Sequence, residues 1–169
     1  MSERVLLVLL GAVAMAGIYA LMLRGWHNRQ RRQAFLPAPP VSDGSGTVVL
    51  GAIAGVFVGT TFAGRWLDRV AIHQLSDRAA GWLSLATDGV HVEREGALEL
   101  FLPYAVIDDA AVGAALAGKV MGPGGLLIVG WHLGGSALTS AFRANDHAEH
   151  QRVADAIRAQ LPVSVQEAS

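Results

Sequence analysis

The residues from Val5 to Leu23 form a run of nineteen with no charged side chain, and four arginines, Arg24, Arg29, Arg31 and Arg32, follow within nine residues of its end. As a helix rising about 1.5 Å per residue, the run measures roughly 28 Å, close to the hydrocarbon thickness of a bilayer. A cleaved secretory signal is the competing reading. It is disfavoured because the run exceeds the usual signal core, only Arg4 precedes it beside the acidic Glu3, and the heavy positive cluster comes after it. Ala12-Val13-Ala14 and Ala14-Met15-Ala16 look like cleavage triplets, but cutting there would leave a new N-terminus that is still apolar. The run is therefore read as a single-pass anchor in the plasma membrane. The arginine side is expected to face the cytoplasm, with the N-terminus outside and the rest of the chain inside. Trp26 lies with Arg24, Arg29, Arg31 and Arg32 at the expected membrane interface, and Tyr19 sits somewhat deep for that role.

Beyond this flank about 135 residues remain, the size of one domain with a real core. The net charge of −1 conceals an asymmetry: residues 24–32 carry +4, while residues 33–169 hold eight basic and thirteen acidic side chains, hence −5. Such a domain is a poor nucleic-acid binder and is repelled by anionic lipid, so the bilayer is engaged through the N-terminal helix and its arginines. Cysteine is absent, which removes disulfides and thiolate metal sites and agrees with a reducing compartment. Between anchor and domain, Pro37-Ala38-Pro39-Pro40 followed by Gly44-Ser45-Gly46 reads as a tether, extended and then flexible. The expected organisation is an anchor at 1–24, a basic segment and tether at 25–46, a domain at 47–162 and a disordered tail at 163–169.

Thr47 to Gly64 is the main ambiguity, with eighteen uncharged residues that are long enough for a second transmembrane helix. Four glycines, three threonines and β-branched enrichment favour a strand instead, with Val56, Val58, Thr60 and Phe62 on one face and Phe57, Gly59 and Thr61 on the other. Short strands are then expected over Leu67–Ile72, Trp82–Thr87, Val90–Arg94, Leu98–Leu102, Leu126–Leu133 and Ala137–Phe142. Asp88-Gly89 and Gly134-Gly135-Ser136 mark hairpins, and Glu95-Gly96 marks a further turn. The confident soluble helix comes last: Asp146 and Glu149 suit a capping box, His150, Val153, Ala154, Ile157 and Leu161 form one stripe, and Pro162 ends it. That stripe is expected to dock on a sheet edge or a barrel mouth.

The run Gly59-Thr60-Thr61-Phe62-Ala63-Gly64-Arg65-Trp66-Leu67-Asp68-Arg69-Val70 is the distinctive part of a wider pattern. With Phe101-Leu102-Pro103, Gly118-Lys119-Val120, Leu126 to Trp131 and Phe142-Arg143 before the helix, it resembles small actinobacterial membrane proteins that carry a PH-like (pleckstrin homology-like) domain. The likeness covers residues 47 to 162 and includes the anchor. It implies an N-terminal transmembrane helix plus a mainly-β, PH-like, partly open barrel or two-sheet sandwich with one C-terminal α-helix. The resemblance supplies no catalytic residue.

A phosphoinositide site needs several cations converging on phosphates. Arg65, Arg69 and Lys119, the chain's single lysine, form the speculative ligand or partner surface, but Asp68 lies between the two arginines and ordinary ion pairs with Asp68 or Asp77 explain them better. His147 and His150 with Asp146 and Glu149 suggest a zinc site only weakly, since capping accounts for the acids and further ligands are missing. His73, His91 and His132 have no acid or nucleophile at a telling spacing. Gly122-Pro123-Gly124-Gly125 lacks the lysine of a phosphate loop and precedes a strand. Asp108 and Asp109 fall on opposite faces if extended. Trp66, Trp82 and Trp131 read as core or barrel-rim packing. Gly11 and Gly17 leave a homo-oligomer open, though their spacing is not the GxxxG pattern. The expectation is a non-enzymatic, membrane-tethered interaction module without cofactor or metal, presenting a sheet edge or loop to a protein partner of unknown identity. The alternative is a transport or export accessory, or a small carrier, whose 47–64 segment enters the membrane.

Overall fold

The computed structural model describes residues 2–113, 115–116, 119–120 and 125–162, which divide between two units, Met1–Phe35 and Leu36–Ser169. The 163–169 tail, Gly118, Gly122 to Gly124 and the side chains of Trp66 and Lys119 lie outside the described part.

The first unit is one helix, α1, Ser2–Arg32. It runs through the basic cluster rather than ending at Arg24, and Arg29, Arg31 and Arg32 in its last turn complement the negative end of the helix dipole. Its apolar side chains, among them Leu7, Val8, Met15 and Leu21, are exposed around the whole circumference.

The second unit is built from β1 (Val48–Phe62), β2 (Arg65–Arg69), β3 (Ala79–Ala86), β4 (Gly89–Arg94), β5 (Leu100–Pro103), β6 (Ile107–Gly113), β7 (Ala115–Leu116), β8 (Lys119–Val120), β9 (Leu126–Leu133), β10 (Ser136–Ala144) and α2 (Ala148–Arg158). A single 3-10 turn, Tyr104–Val106, joins β5 to β6. One unclosed antiparallel sheet runs in the order β5-β4-β3-β1-β10-β9-β6, with β2 paired to the end of β1 and with β7 and β8 forming a separate ribbon. The sheet with its C-terminal helix is a mainly-β, PH-like, partly open architecture.

The uncharged run from Thr47 to Gly64 is strand β1, paired to β3 on one side and to β10 on the other. The second membrane helix is thereby replaced by the central strand of the sheet. The unbroken alternation expected along it is also corrected. The register against β10 slips between Phe57 and Gly59, and Gly59 adopts φ +136°, a β-bulge at which only glycine is at ease. Val58 is the extra residue, so the inward parity changes from Phe57 before the bulge to Thr60 and Phe62 after it.

Inside, Phe57, Leu83, Leu85, Val92, Leu100, Val129, Leu138 and Phe142 pack with the stripe Val153, Ala154, Ile157 and Leu161 of α2. The helix lies against β6, β9 and β10, and the Arg158 Nε–H donates to the Ala110 carbonyl of edge strand β6 at 2.8 Å. One end of the sheet is thus covered by the amphipathic stripe, as its spacing predicts. The void among Phe57, Leu83 and Val129 is about 10 Å³, no more than one water's room. Trp131 is fully buried, and its indole N–H donates to Ser140 Oγ at 2.9 Å, which in turn meets Thr60 Oγ1 at 2.8 Å.

Several boundaries move for identifiable reasons. Leu36 is buried in the core and its carbonyl meets the His73 ring Nε2 at 3.1 Å, so the folded unit takes in the start of the stretch that the prolines mark as tether. Strand β5 begins at Leu100 rather than Leu98, because the Leu98 peptide is held by side chains: its N–H donates to Gln74 Oε1 and its carbonyl accepts from Arg94 Nε, both at 2.8 Å. Strand β2 stops at Arg69, before His73 and Gln74 turn the chain with φ near +55° at both. Helix α2 starts at Ala148 with His147, not Asp146, at the cap position. Asp146 still does the capping, since its Oδ1 accepts the Ala148 N–H at 2.9 Å, but Glu149 turns to Arg152 at 3.4 Å instead of closing a capping box. The hairpin between β9 and β10 has two loop residues, Gly134 and Gly135, both at positive φ as a type I′ turn requires, and Ser136 already belongs to the strand.

The buried Thr60–Ser140–Trp131 chain gives a direct test. Ser140→Ala leaves the indole N–H and the Thr60 hydroxyl without their partner, and urea unfolding of the full chain in detergent micelles should show a loss of about 1–3 kcal/mol. Adding Ser140→Ala to a Thr60→Val/Trp131→Phe background, where no polar group is stranded, should cost clearly less.

Candidate interaction surface

The residues singled out in the sequence do not converge. Arg65 pairs with Asp68 at 3.6 Å and lies over the Phe62 ring at 5.3 Å, while Arg69 donates to the Ser76 carbonyl at 3.1 Å. One arginine is therefore engaged by its own strand and the other by the loop that follows β2. Lys119 lies on β8, and its side chain is outside the described residues. Arg24, Trp26, Arg29, Arg31 and Arg32 all stand on the C-terminal third of α1. His147 and His150 stack at 5.5 Å, but His150 is buried and its Nε2 accepts the Ala144 N–H at 2.8 Å, which commits that nitrogen to the fold. Among the described residues no group of three or more His, Asp and Glu could hold a metal ion. His132 meets Asp108 at 2.7 Å on the exposed side of β9 and β6.

Two features had no signal in residue spacing. The first is Arg94, buried within β4. Its Nη1 donates to the Gln74 carbonyl at 2.6 Å, its guanidinium lies 4.9 Å over Phe57, and burial lowers its pKa against the pull of Asp77. With the Gln74 side chain bonded to Leu98, this pins the His73–Gln74 corner, whose positive φ is otherwise unfavourable for such residues.

The second is a carboxylate–imidazole–carboxylate cluster at the β3–β4 hairpin. His91 presents Nδ1 to Glu99 at 2.8 Å and Nε2 to Asp88 at 3.1 Å, with its ring 4.7 Å from that of Phe101. Both nitrogens face acceptors, so the imidazolium, with two N–H donors, satisfies the site best. Burial works against that charge, yet the bonds to Glu99 and Asp88 outweigh it and raise the His91 pKa. The Asp88 pKa falls, chiefly through His91, and Ser42 Oγ donates to its other oxygen at 3.3 Å. Burial and the Asp88 charge raise the Tyr104 pKa, and its hydroxyl has no hydrogen-bond partner. Ser42 bonds to the carboxylate and not to the imidazole, so the cluster has no activated nucleophile. Its effect is to fasten the segment before β1 to the β3–β4 hairpin.

A further stretch of strand edge without a second neighbour among the described residues lies on β1. Strand β10 ends at Ala144, and the last rung is the Asn145 N–H donating to the Ala54 carbonyl at 3.0 Å. Among the described residues, β1 continues past that point from Val48 to Ile53, paired to β3 alone. A groove of about 460 Å³ lies beside the overhang, with residues Gly51 to Ala54 on one side and Asn145, Asp146, Glu149 and Arg152 on the other. Val48 and Val49 are exposed, as is Trp82, which lies opposite Ala54 on β3.

A comparison with protein families matches residues 34–158 to the model described as "Bacterial PH domain-like", nearly three quarters of the chain. The chain belongs to that family. The matched region begins just before Leu36, where the folded unit begins, and ends at Arg158, the last residue of α2. A search of curated proteins found no significant match. Membership places the open β1 overhang and the His91 cluster on a PH-like domain, a scaffold that serves interaction in general.

The His91 cluster sets a pH dependence for this domain. Because the folded pKa of His91 lies above the ordinary 6.5, its stabilising contribution is complete below that value and is lost as pH rises through the folded pKa. For Asp88, lowered from 3.8, the contribution is present above the ordinary value and is lost as pH falls. Denaturation midpoints of the full chain in micelles should therefore fall on the alkaline side of 6.5, and His91→Gln should flatten that limb. An unchanged alkaline limb in the variant would show that another group governs it.

Proposed function

We propose that this chain is a non-catalytic, membrane-tethered interaction module, holding its PH-like domain at the cytoplasmic face of the plasma membrane for a protein partner. The observation that carries the reading is that one chain joins α1 to a PH-like domain. The helix is apolar on every side and long enough to cross a bilayer, which supports a membrane span. The four arginines at its C-terminal end favour an orientation with that end inside, and the acidic domain behind them is kept off anionic headgroups by its own charge. The likeness to small membrane proteins with PH-like domains points the same way. An interaction role, rather than a chemical one, is supported by the engagement of Arg65, Arg69, His91 and His150 within the fold.

The absence of cysteine makes the topology directly measurable. Ser45→Cys should resist a membrane-impermeant maleimide in intact cells and label once the membrane is opened, in a product whose mass retains α1. Labelling in intact cells, or loss of the helix from the mature protein, would refute the cytoplasmic assignment.

A further inference from the structure

The overhang of β1 differs from ordinary sheet edges in what it lacks. Exposed edges are usually blunted by lysines, prolines, inward charges or a covering helix. Val48, Val49, Leu50, Gly51, Ala52 and Ile53 supply none of these, and α2 stands across the groove rather than over the edge. The register against β3 slips twice, between Val48 and Leu50 and between Leu50 and Ile53, which twists the strand but adds no blocking side chain. At roughly 3.3 Å per residue the six residues offer about 20 Å of edge, enough for one short added strand. Small side chains at Gly51, Ala52 and Ala54 leave its backbone approachable. Trp82, 42% exposed opposite Ala54, gives a neighbouring apolar anchor on the same sheet.

The far wall decides the chemistry of the occupant. Asp146 and Glu149 stand there with Arg152, leaving the wall net negative on a domain of net charge −5. The Glu149 carboxylate is ion-paired with Arg152 at 3.4 Å, so the wall keeps one net negative charge, with Asp146 the exposed acid beside it. A second copy of this chain would bring a like-charged domain to the same place. From these observations we infer that the β1 overhang binds an extended segment of another protein. The segment adds as a strand beside Val48–Ile53, turns apolar side chains toward Trp82, and places a lysine or arginine against Asp146 and Glu149. This rests on the interaction-module reading and names the mode and chemistry of its partner.

The test uses the full chain in the membranes of its host, carrying a photo-crosslinking phenylalanine analogue at Ala52 or, as a control on the exposed β4–β5 turn, at Glu95. The inference expects an Ala52 adduct whose crosslinked peptide maps to one partner segment containing lysine or arginine. In the Asp146→Asn/Glu149→Gln background, where Asn can still cap α2, the Ala52 yield should drop about tenfold, with an unchanged circular dichroism spectrum. An adduct of twice the chain's mass would make the occupant a second copy and overturn the inference. So would an adduct to lipid, a partner peptide without basic residues, or a yield indifferent to the two substitutions. Adducts at Glu95 but none at Ala52 would remove the edge as the site and leave the interaction module standing. No adduct at either position would count against the module itself.

Discussion

The bulge in β1 is the constraint on which the folded unit depends. A fifteen-residue strand that served β3, β10 and β2 with a single parity would carry the same set of side chains inward along its whole length and could not turn with the sheet. Gly59, at φ +136°, absorbs one extra residue and exchanges the faces. Phe57 then meets Phe142 in the core, while Thr60 reaches Ser140 two rungs on. The Thr60–Ser140–Trp131 chain follows from that exchange, since the hydroxyl arrives inside only because the parity has changed.

The sheet that results is open, and its edges are handled unequally. Edge strand β6 is covered by α2, with Arg158 closing one of its carbonyls. Strand β5 is held to the His73–Gln74 corner through Arg94 and Leu98. The segment before β1 is fastened by Ser42, Asp88, His91 and Glu99. Against those closures stands the N-terminal half of β1, which loses its neighbour when β10 ends at Ala144 and the chain turns into α2. The polar groups that a motif search favours, arginines and histidines, are mostly spent on closing the fold. The unspent capacity lies in backbone, among glycine and alanine.

That contrast explains how much could be read beforehand. The β3–β4 hairpin, whose loop is Thr87-Asp88 rather than Asp88-Gly89 because Gly89 already pairs within β4, the Gly134-Gly135 hairpin, the strands that flank them and the stripe of α2 were legible because each rests on contacts between residues near in sequence. Strand β6 was not foreseen, because Ile107–Gly113 has no turn signal of its own and is an edge defined by pairing with β9. Arg94 gave no sign either: inside an alternating strand it reads as an outward polar residue, and only the corner at Gln74, twenty residues earlier, gives it buried acceptors. The β1 overhang is invisible in composition, since an uncharged Gly/Ala/Val run looks the same whether one edge of it is paired or both are.

By itself the sequence determined the apolar helix with its basic end, the strand character of most of the remaining chain, the amphipathic stripe and the acidic balance of the domain. These are local properties, set by side-chain chemistry and by periods of 2 and 3.6 residues. Tertiary structure alone decided which face of β1 turns inward on either side of Gly59, which cations are consumed within the fold, and where a strand is left without a neighbour. Each of those depends on where a second strand, distant in sequence, begins and ends, and no local pattern encodes the end of a partner.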